Sequence, residues 1–162
     1  MFVYLLTICL FSSFASLDAR EIPESPRVWK KQVPAGIKTF FIASHTENGT
    51  YGIEACKNSG LELASIDSKE ENDILVQEIS GLFGSTLTYW TAGKFTDQGK
   101  WVWITTGKEM TFSDWSENQP NFDDYPDELC VGMQFEHNKK GHWLTTSCKW
   151  HRGIICQKIT TE

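Results

Sequence analysis

Four widely spaced cysteines restrict how this chain of 162 residues can fold. They stand at Cys56, Cys130, Cys148 and Cys156, while a fifth, Cys9, lies in an apolar N-terminal stretch. An even set of cysteines in an exported chain predicts two disulfides, and arithmetic alone allows three pairings. A zinc site is the alternative, but the chain contains no C-x-x-C pair. The fold must therefore join distant parts of the chain at two points.

The N-terminal segment predicts export from the cell. Residues 2–14 are almost entirely apolar and uncharged, and Ser13, Ala15 and Ala19 supply the small residues that signal peptidase recognises. We interpret residues 1–19 as a secretory signal peptide because the apolar run is too short to span a bilayer comfortably. A buried N-terminal helix is the alternative. Residues 20–37, which contain three prolines, are expected to form a leader. The mature protein is expected to be secreted, with no membrane span.

Charge and missing motifs argue against several classes of function. The formal net charge is −6, and a nucleic-acid binder needs a clustered basic face. The chain contains no Gly-x-Ser-x-Gly motif, and bridged cysteines leave no thiol nucleophile. The spacings of the histidines do not fit a zinc site on one helix face. We therefore predict a binding protein that is not an enzyme.

The order of the predicted elements indicates an α+β domain. A first helix is expected near residues 50–59, before the helix-breaking Gly60. A second begins at Ser68, which forms a capping box with Glu71. Its apolar stripe comprises Ile74, Leu75, Ile79 and Leu82.

After residue 84, short aromatic and β-branched runs predict strands. Residues 106–127 between them form a long loop, which we expect to be ordered because it contains Phe112 and Trp115. Most tryptophans are expected in the core, and they are Trp90, Trp101, Trp103 and Trp143. The roles of Trp115 and Trp150 are left open.

A series of short motifs along residues 38–158 points to one family. In chain order they are Cys56 on the first helix, residues 89–93, residues 101–103, Asp114 with Trp115, residues 119–121, residues 128–130, Trp143, Cys148 and residues 154–156. Together they resemble the C-type lectin-like domain, in a short secreted form similar to insect lectins. The resemblance implies two helices packed on small antiparallel sheets with a long ordered loop. It also implies the disulfides Cys56–Cys156 and Cys130–Cys148.

The resemblance further implies a calcium and sugar site in the long loop. Gln119 and Asn121 match the family's Glu-Pro-Asn or Gln-Pro-Asp triplet, Pro120 matches its cis proline, and Glu128 matches its next carboxylate ligand. Calcium takes about six to eight oxygen ligands, so neighbouring sugar hydroxyls can complete its shell. Because the triplet mixes the mannose-type and galactose-type forms, the sugar class stays open.

One motif departs from the family pattern. Trp143-Leu144-Thr145 stands where the family has Trp-Asn-Asp, so an amide and a carboxylate ligand are replaced. Leu144 offers no side-chain oxygen, and Thr145 offers only neutral oxygens. Since ligand charge helps to set calcium affinity, we expect a weak calcium site or none. Its ligands would be Gln119, Asn121, Glu128 and Thr145.

Acidic residues crowd the same loop at Asp123, Asp124 and Asp127. They form either a solvated acidic segment, which we favour, or a rearranged oxygen cage whose repulsion an ion would relieve. Asn48-Gly49-Thr50 matches the acceptor sequence for N-glycosylation and predicts a surface turn.

Two functions follow from these expectations. The first is a secreted carbohydrate-binding lectin for mannose- or galactose-type glycans, with the site at Gln119, Asn121 and Glu128. The alternative is a calcium-independent lectin-like domain that binds a protein. A role in innate immunity fits the resemblance by fold-level analogy.

Overall fold

A computed structural model of the chain describes residues 27–34, 36–80, 87–123, 129–135 and 140–161. The helices in these ranges are α1 (Gly49–Asn58) and α2 (Lys69–Ser80). The strands are β1 (Arg27–Val33), β2 (Gly36–Glu47), β3 (Glu62–Leu63), β4 (Leu87–Phe95), β5 (Trp101–Trp103), β6 (Lys108–Glu109), β7 (Leu129–Phe135), β8 (Gly141–Ser147) and β9 (Arg152–Thr160). None of the helices in the described ranges combines the length and the apolar character needed to cross a membrane. The predicted signal peptide and Leu82 lie outside the described residues.

The strands form one connected network, and β9 lies at its centre. It pairs antiparallel with β2, where Phe41 is opposite Cys156, and antiparallel with β3. It also pairs with β4 in parallel, with Trp90 opposite Ile154. From β4 the network continues antiparallel to β5 and β6 on one branch, and to β7 and β8 on the other. The antiparallel α+β architecture is thus confirmed, with one short parallel pairing added.

The segment that we expected to be a leader contains strand β1. Its residues pair with β2 throughout, from Arg27 opposite Ile42 to Val33 opposite Gly36. Pro34 occupies the turn between the two strands, where a fixed φ favours chain reversal. Three prolines in residues 20–37 made this segment resemble a linker, although two of them precede the strand.

Both disulfides that the resemblance implied are present. Cys56, on the buried face of α1, is bonded to Cys156 in β9, at a sequence separation of 100 residues. Cys130 at the start of β7 is bonded to Cys148 just after β8. In the chain-entropy model, a bridge closing a loop near 100 residues stabilises the folded state by about 4.7 kcal/mol. The longer bridge fixes the first helix to the last strand.

Only half of the predicted capping box forms at the start of α2. The Ser68 hydroxyl accepts a hydrogen bond from the Glu71 N–H at 3.3 Å, as expected. The Glu71 carboxylate accepts instead from the N–H of Asp67 at 2.8 Å. Within the predicted apolar stripe, Leu75 and Ile79 are buried.

A buried lysine explains why the Glu71 carboxylate turns away from the cap. Lys38 on β2 is 1% exposed, and its ammonium lies 2.9 Å from carboxylate oxygens of both Asp67 and Glu71. It also donates to the Ser65 hydroxyl at 3.2 Å. A buried ammonium needs such partners, because an unpaired charge in the interior is strongly unfavourable. The network therefore fixes α2 and the segment before it against β2.

The tryptophan core forms largely as predicted. Trp90, Trp103 and Trp143 are fully buried, whereas Trp101 is only half-buried. Trp103 and Trp143 meet edge to face at 5.8 Å between ring centroids, a favourable arrangement for aromatic rings. Trp101 packs against the same core from its edge, as does Trp115, so core packing accounts for all four tryptophans assigned to it.

Replacement of Lys38 by methionine should strongly destabilise the protein. The substitution leaves the buried Glu71 carboxylate without its counter-ion, and loss of one partner from a buried pair costs about 3–5 kcal/mol. Urea denaturation with both disulfides intact measures the loss. Lys69→Met is the matched control, because Lys69 and its partner Asp73 are both exposed and should contribute little. Equal losses in the two variants would contradict the role of Lys38.

Candidate functional site

Backbone hydrogen bonds hold the long loop after β6 against β8. The N–H of Trp143 donates to the carbonyl of Asp114 at 2.8 Å, and the N–H of Ser116 donates to the carbonyl of Trp143 at 2.9 Å. Further along, the N–H of Gln119 donates to the carbonyl of Ser116 at 3.1 Å. The described part of this loop is therefore ordered, and Gln119 lies beside β8.

A buried amide on α2 also positions this loop. Asn72 is 2% exposed, and its side-chain oxygen accepts from the indole N–H of Trp143 at 2.9 Å. Its amide nitrogen donates to the carboxylate of Asp114 at 2.8 Å. Asn72 thus joins a helix, a strand and the loop through one side chain. Sequence analysis missed it, because a single polar residue within a helical stripe carries no recognisable pattern.

The Gln119–Pro120 peptide bond is cis, which confirms the expectation for this proline. Asn118, just before it, has a φ of 62°, in the left-handed region that asparagine tolerates better than most residues. Asn118 lies in the turn that the hydrogen bond from the Gln119 N–H to the Ser116 carbonyl closes just before the triplet.

The side-chain oxygen of Gln119 is surrounded by donors from the protein itself. It lies 2.6 Å from the hydroxyl of Thr145 and 2.8 Å from the N–H of the same residue. The N–H of Asn121 approaches it at 3.2 Å. Thr145 is only 3% exposed, so this contact is largely shielded from water. An amide oxygen has two lone pairs, and protein donors here occupy both.

Asn121 completes this closed arrangement. Its N–H lies 3.0 Å from the Thr145 hydroxyl, and its carbonyl oxygen lies 2.9 Å from the same hydroxyl. Its side-chain oxygen accepts from the N–H of Asp123 at 2.9 Å. The structure thus brings Gln119, Asn121 and Thr145 together.

Most of the carboxylates that were predicted near this site lie outside the residues that the structure describes. Glu128, the carboxylate ligand that the resemblance implied, lies outside the described residues. So do Asp124 and Asp127 of the acidic loop, whereas Asp123 is described and exposed.

The described part of this arrangement does not fit a calcium ion. Calcium is held by oxygens whose lone pairs face it, yet the side-chain oxygens of Gln119 and Asn121 accept hydrogen bonds from protein N–H and O–H groups. Leu144 contributes no side-chain oxygen. Over the described ranges, no three His, Cys, Asp or Glu side chains gather closely enough to hold a metal ion. The Thr145 hydroxyl donates to the Gln119 oxygen, and the Asp123 N–H donates to the Asn121 side-chain oxygen, so both oxygens that a cation would need are engaged.

Beside this loop lies an aromatic ledge, formed by Phe95, Trp101, Trp115 and Phe122. Phe95 is 5.0 Å from Trp101 and 4.9 Å from Phe122, and Trp101 is 5.0 Å from Trp115, between ring centroids. Phe122 follows Asn121 directly and is 44% exposed. In the sequence, the position of Phe122 directly after the Gln119–Asn121 triplet is the signal for this aromatic ledge.

Comparison with known proteins identifies the domain. The model of the lectin C-type domain matches residues 46–158. The chain belongs to the C-type lectin domain family. Among its relatives, C-type lectin mosGCTL-7 of Aedes aegypti is 27% identical, over 78% of this chain and 87% of that protein. Galactose-specific lectin nattectin of Thalassophryne nattereri is 26% identical, over 96% of this chain and 94% of that protein.

A solved structure gives the same fold for the C-type lectin domain. The domain of murine dendritic cell inhibitory receptor 2, in complex with an N-glycan, superposes with a TM-score of 0.64 at 23% identity. The match covers 81% of this chain and 96% of that one. The two-helix architecture is therefore that of the family.

Removal of the Thr145 hydroxyl should loosen the site loop. Thr145→Val keeps the shape of the side chain but removes the shielded hydroxyl that lies within hydrogen-bond distance of Gln119 and Asn121, at a cost of about 1–3 kcal/mol. Urea denaturation and hydrogen exchange of the Asn121 amide would measure the effect.

Thr146→Val provides the matched control for this substitution. Thr146 is the next residue on β8 and is 1% exposed, and its hydroxyl finds no hydrogen-bond partner in the described structure. The control should therefore be neutral or slightly stabilising. A larger loss for Thr146→Val than for Thr145→Val would refute the importance of the Thr145 hydroxyl.

Proposed function

We propose that this protein is a secreted lectin that binds glycans through the Gln119–Asn121 loop and the aromatic ledge, without requiring calcium. The observation that carries the proposal is the exposed ring of Phe122, which directly follows Asn121 and ends a series of aromatic contacts. Membership of the C-type lectin domain family supports carbohydrate binding. The lack of fit to calcium supports a metal-independent mode.

The two parts of the site match the two kinds of surface on a sugar. A pyranose ring has hydroxyl groups around its edge and an apolar face of C–H groups. An exposed aromatic ring can pack against the apolar face. The Gln119 side-chain oxygen accepts a hydrogen bond from the Thr145 hydroxyl. The Nε2 group of the same amide therefore remains to donate to a sugar hydroxyl. Aromatic packing would supply affinity, and the amide would orient the sugar.

Galactose-type sugars are the class we propose first. In galactose the axial 4-hydroxyl leaves one continuous C–H face, which suits stacking on an aromatic ring. The relative nattectin is described as galactose-specific, which supports the same choice. Mannose-type sugars are the comparison, since the Gln119–Asn121 triplet combines features of both.

Secretion is supported by the two disulfides and by the N-terminal sequence. Cys56–Cys156 and Cys130–Cys148 are both formed within the described residues. Structural disulfides persist in oxidising compartments and are rare in the cytosol. The apolar segment at residues 2–14 would direct the chain to such a compartment.

Binding to immobilised galactose should survive removal of calcium. We expect the affinity in millimolar calcium and in excess chelator to agree within about twofold, measured by calorimetry or surface binding with free galactose as competitor. Phe122→Ala should weaken binding about tenfold, equivalent to about 1.4 kcal/mol, because an aromatic contact contributes about 0.5–1.5 kcal/mol beyond its buried area.

Ile104→Ala is the matched control for this experiment. Ile104 is another exposed apolar side chain, at 38%, but it lies in a cleft beside α1 together with Ile53 and Leu61. Its replacement should leave galactose binding unchanged. Loss of binding in chelator would show that the acidic loop rebuilds a calcium site. Absence of binding to galactose and mannose alike would favour the alternative, a lectin-like domain that binds a protein.

A further inference from the structure

Two exposed aromatic side chains flank the start of α1. Tyr51, in the first turn of the helix, is 58% exposed, and Trp150, in the turn between β8 and β9, is 46% exposed. Phe122 is also exposed, and it belongs to the aromatic ledge. Tyr51 and Trp150 are therefore two exposed aromatic side chains near the start of α1 that the proposed sugar site does not use.

The glycosylation acceptor sequence contacts the two segments that carry these rings, the first turn of α1 and the turn after β8. The N–H of Gly49 donates to the carbonyl of Cys148 at 2.7 Å, and a Cβ at Gly49 would lie only 3.1 Å from that oxygen. The acceptor sequence is thus packed closely against the turn that carries Trp150, two residues beyond Cys148. The backbone carbonyl of Trp150 accepts from the indole of Trp90 at 3.2 Å, which fixes the turn in place.

The side chain of Asn48 can carry a glycan and cap the helix at once. Its oxygen accepts a hydrogen bond from the N–H of Tyr51 at 2.9 Å, as an N-cap does. N-glycosylation modifies the other atom of the amide, the nitrogen Nδ2. The carbonyl oxygen keeps its lone pairs, so the cap is retained after modification.

We propose that Asn48 carries an N-linked glycan whose first N-acetylglucosamine residues cover the rings of Tyr51 and Trp150. The inference rests on the proposed secretion, because the donor is a lipid-linked oligosaccharide pyrophosphate of the secretory pathway. The Asn48 nitrogen forms a bond to C1 of the sugar and gives up one proton. The bond from C1 to the pyrophosphate oxygen breaks, and its electron pair leaves with the lipid pyrophosphate.

Contact with the attached glycan accounts for the exposure of both rings. N-acetylglucosamine has apolar C–H faces and an acetyl methyl group, which pack well on aromatic rings. The Arg152 guanidinium, 4.9 Å from the centroid of the Trp150 ring, holds that ring on one side. The covered surface would then be protected from water without a protein partner.

The first experiment establishes the modification. The full chain, with its own residues 1–19, is expressed in insect cells, and the secreted protein is weighed intact before and after treatment with an N-glycosidase. We expect the mass of one N-glycan to be lost from the wild type and to be absent from Asn48→Asp. Aspartate keeps a capping oxygen at this position, so the helix start is preserved. Thr50→Ala, which destroys the acceptor sequence but leaves Asn48 in place, serves as a second unmodified variant.

The second experiment tests the contact between the glycan and the rings. Removal of the glycan, by Asn48→Asp or by enzyme on the folded protein, should lower Tm by about 2–4 °C. Trp150→Ala should lower the Tm of the glycosylated protein by more than it lowers the Tm of Asn48→Asp, because Arg152 contacts the ring in both proteins. Such non-additivity is the signature of groups in contact. Ile104→Ala, at an exposed apolar residue elsewhere, should be additive with glycan removal.

The outcomes separate this inference from the proposed function. A wild-type chain that stays unmodified inside the cell overturns both the proposed secretion and the glycan. A secreted chain that loses no mass on enzyme treatment overturns the glycan alone. A glycosylated protein in which Trp150→Ala and glycan removal are additive overturns the contact with the rings.

Discussion

The disulfide between Cys56 and Cys156 is the constraint on which the rest of this domain depends. It fixes α1 to β9, and β9 pairs with β2, β3 and β4, so one covalent link anchors the strand shared by most of the sheet. From β4 the sheet extends through β7 to β8, which carries Trp143 and Thr145. The candidate site is therefore built on strands whose positions follow from that link.

Local signals in the sequence predicted the helices and strands well. They predicted the long-range contacts between these elements poorly. The cap at Ser68 gave the start of α2 to within one residue, and the stripe containing Leu75 and Ile79 gave its buried face, because helix periodicity and capping are local. The disulfide pairing came from family resemblance, since spacing left three possibilities. The buried position of Lys38 could not be foreseen, because its carboxylate partners lie about thirty residues away along the chain.

In the candidate site, too, the motifs were predictable from the sequence, but the contacts between them were not. The triplet at Gln119–Asn121, its cis proline and the departure at Thr145 were all visible in the sequence. The consequence of that departure was not visible. A threonine hydroxyl can act as a ligand, a donor or a bystander, and only its distances to Gln119 and Asn121 show that it donates to the Gln119 oxygen and accepts from the Asn121 N–H. The role of Asn72, whose amide connects Trp143 with Asp114, is likewise visible only in the structure.

The contacts around Thr145 also bear on where in an organism such a site could operate. A pocket assembled from carboxylates around an ion loses its shape when protons compete for the carboxylates, so its cargo is released in acidic compartments. The side chains of Gln119, Asn121 and Thr145 do not titrate, and their mutual hydrogen bonds exchange no protons with the solvent over the physiological range. The hydrogen bonds among these three residues therefore do not depend on the protonation state of any of their side chains.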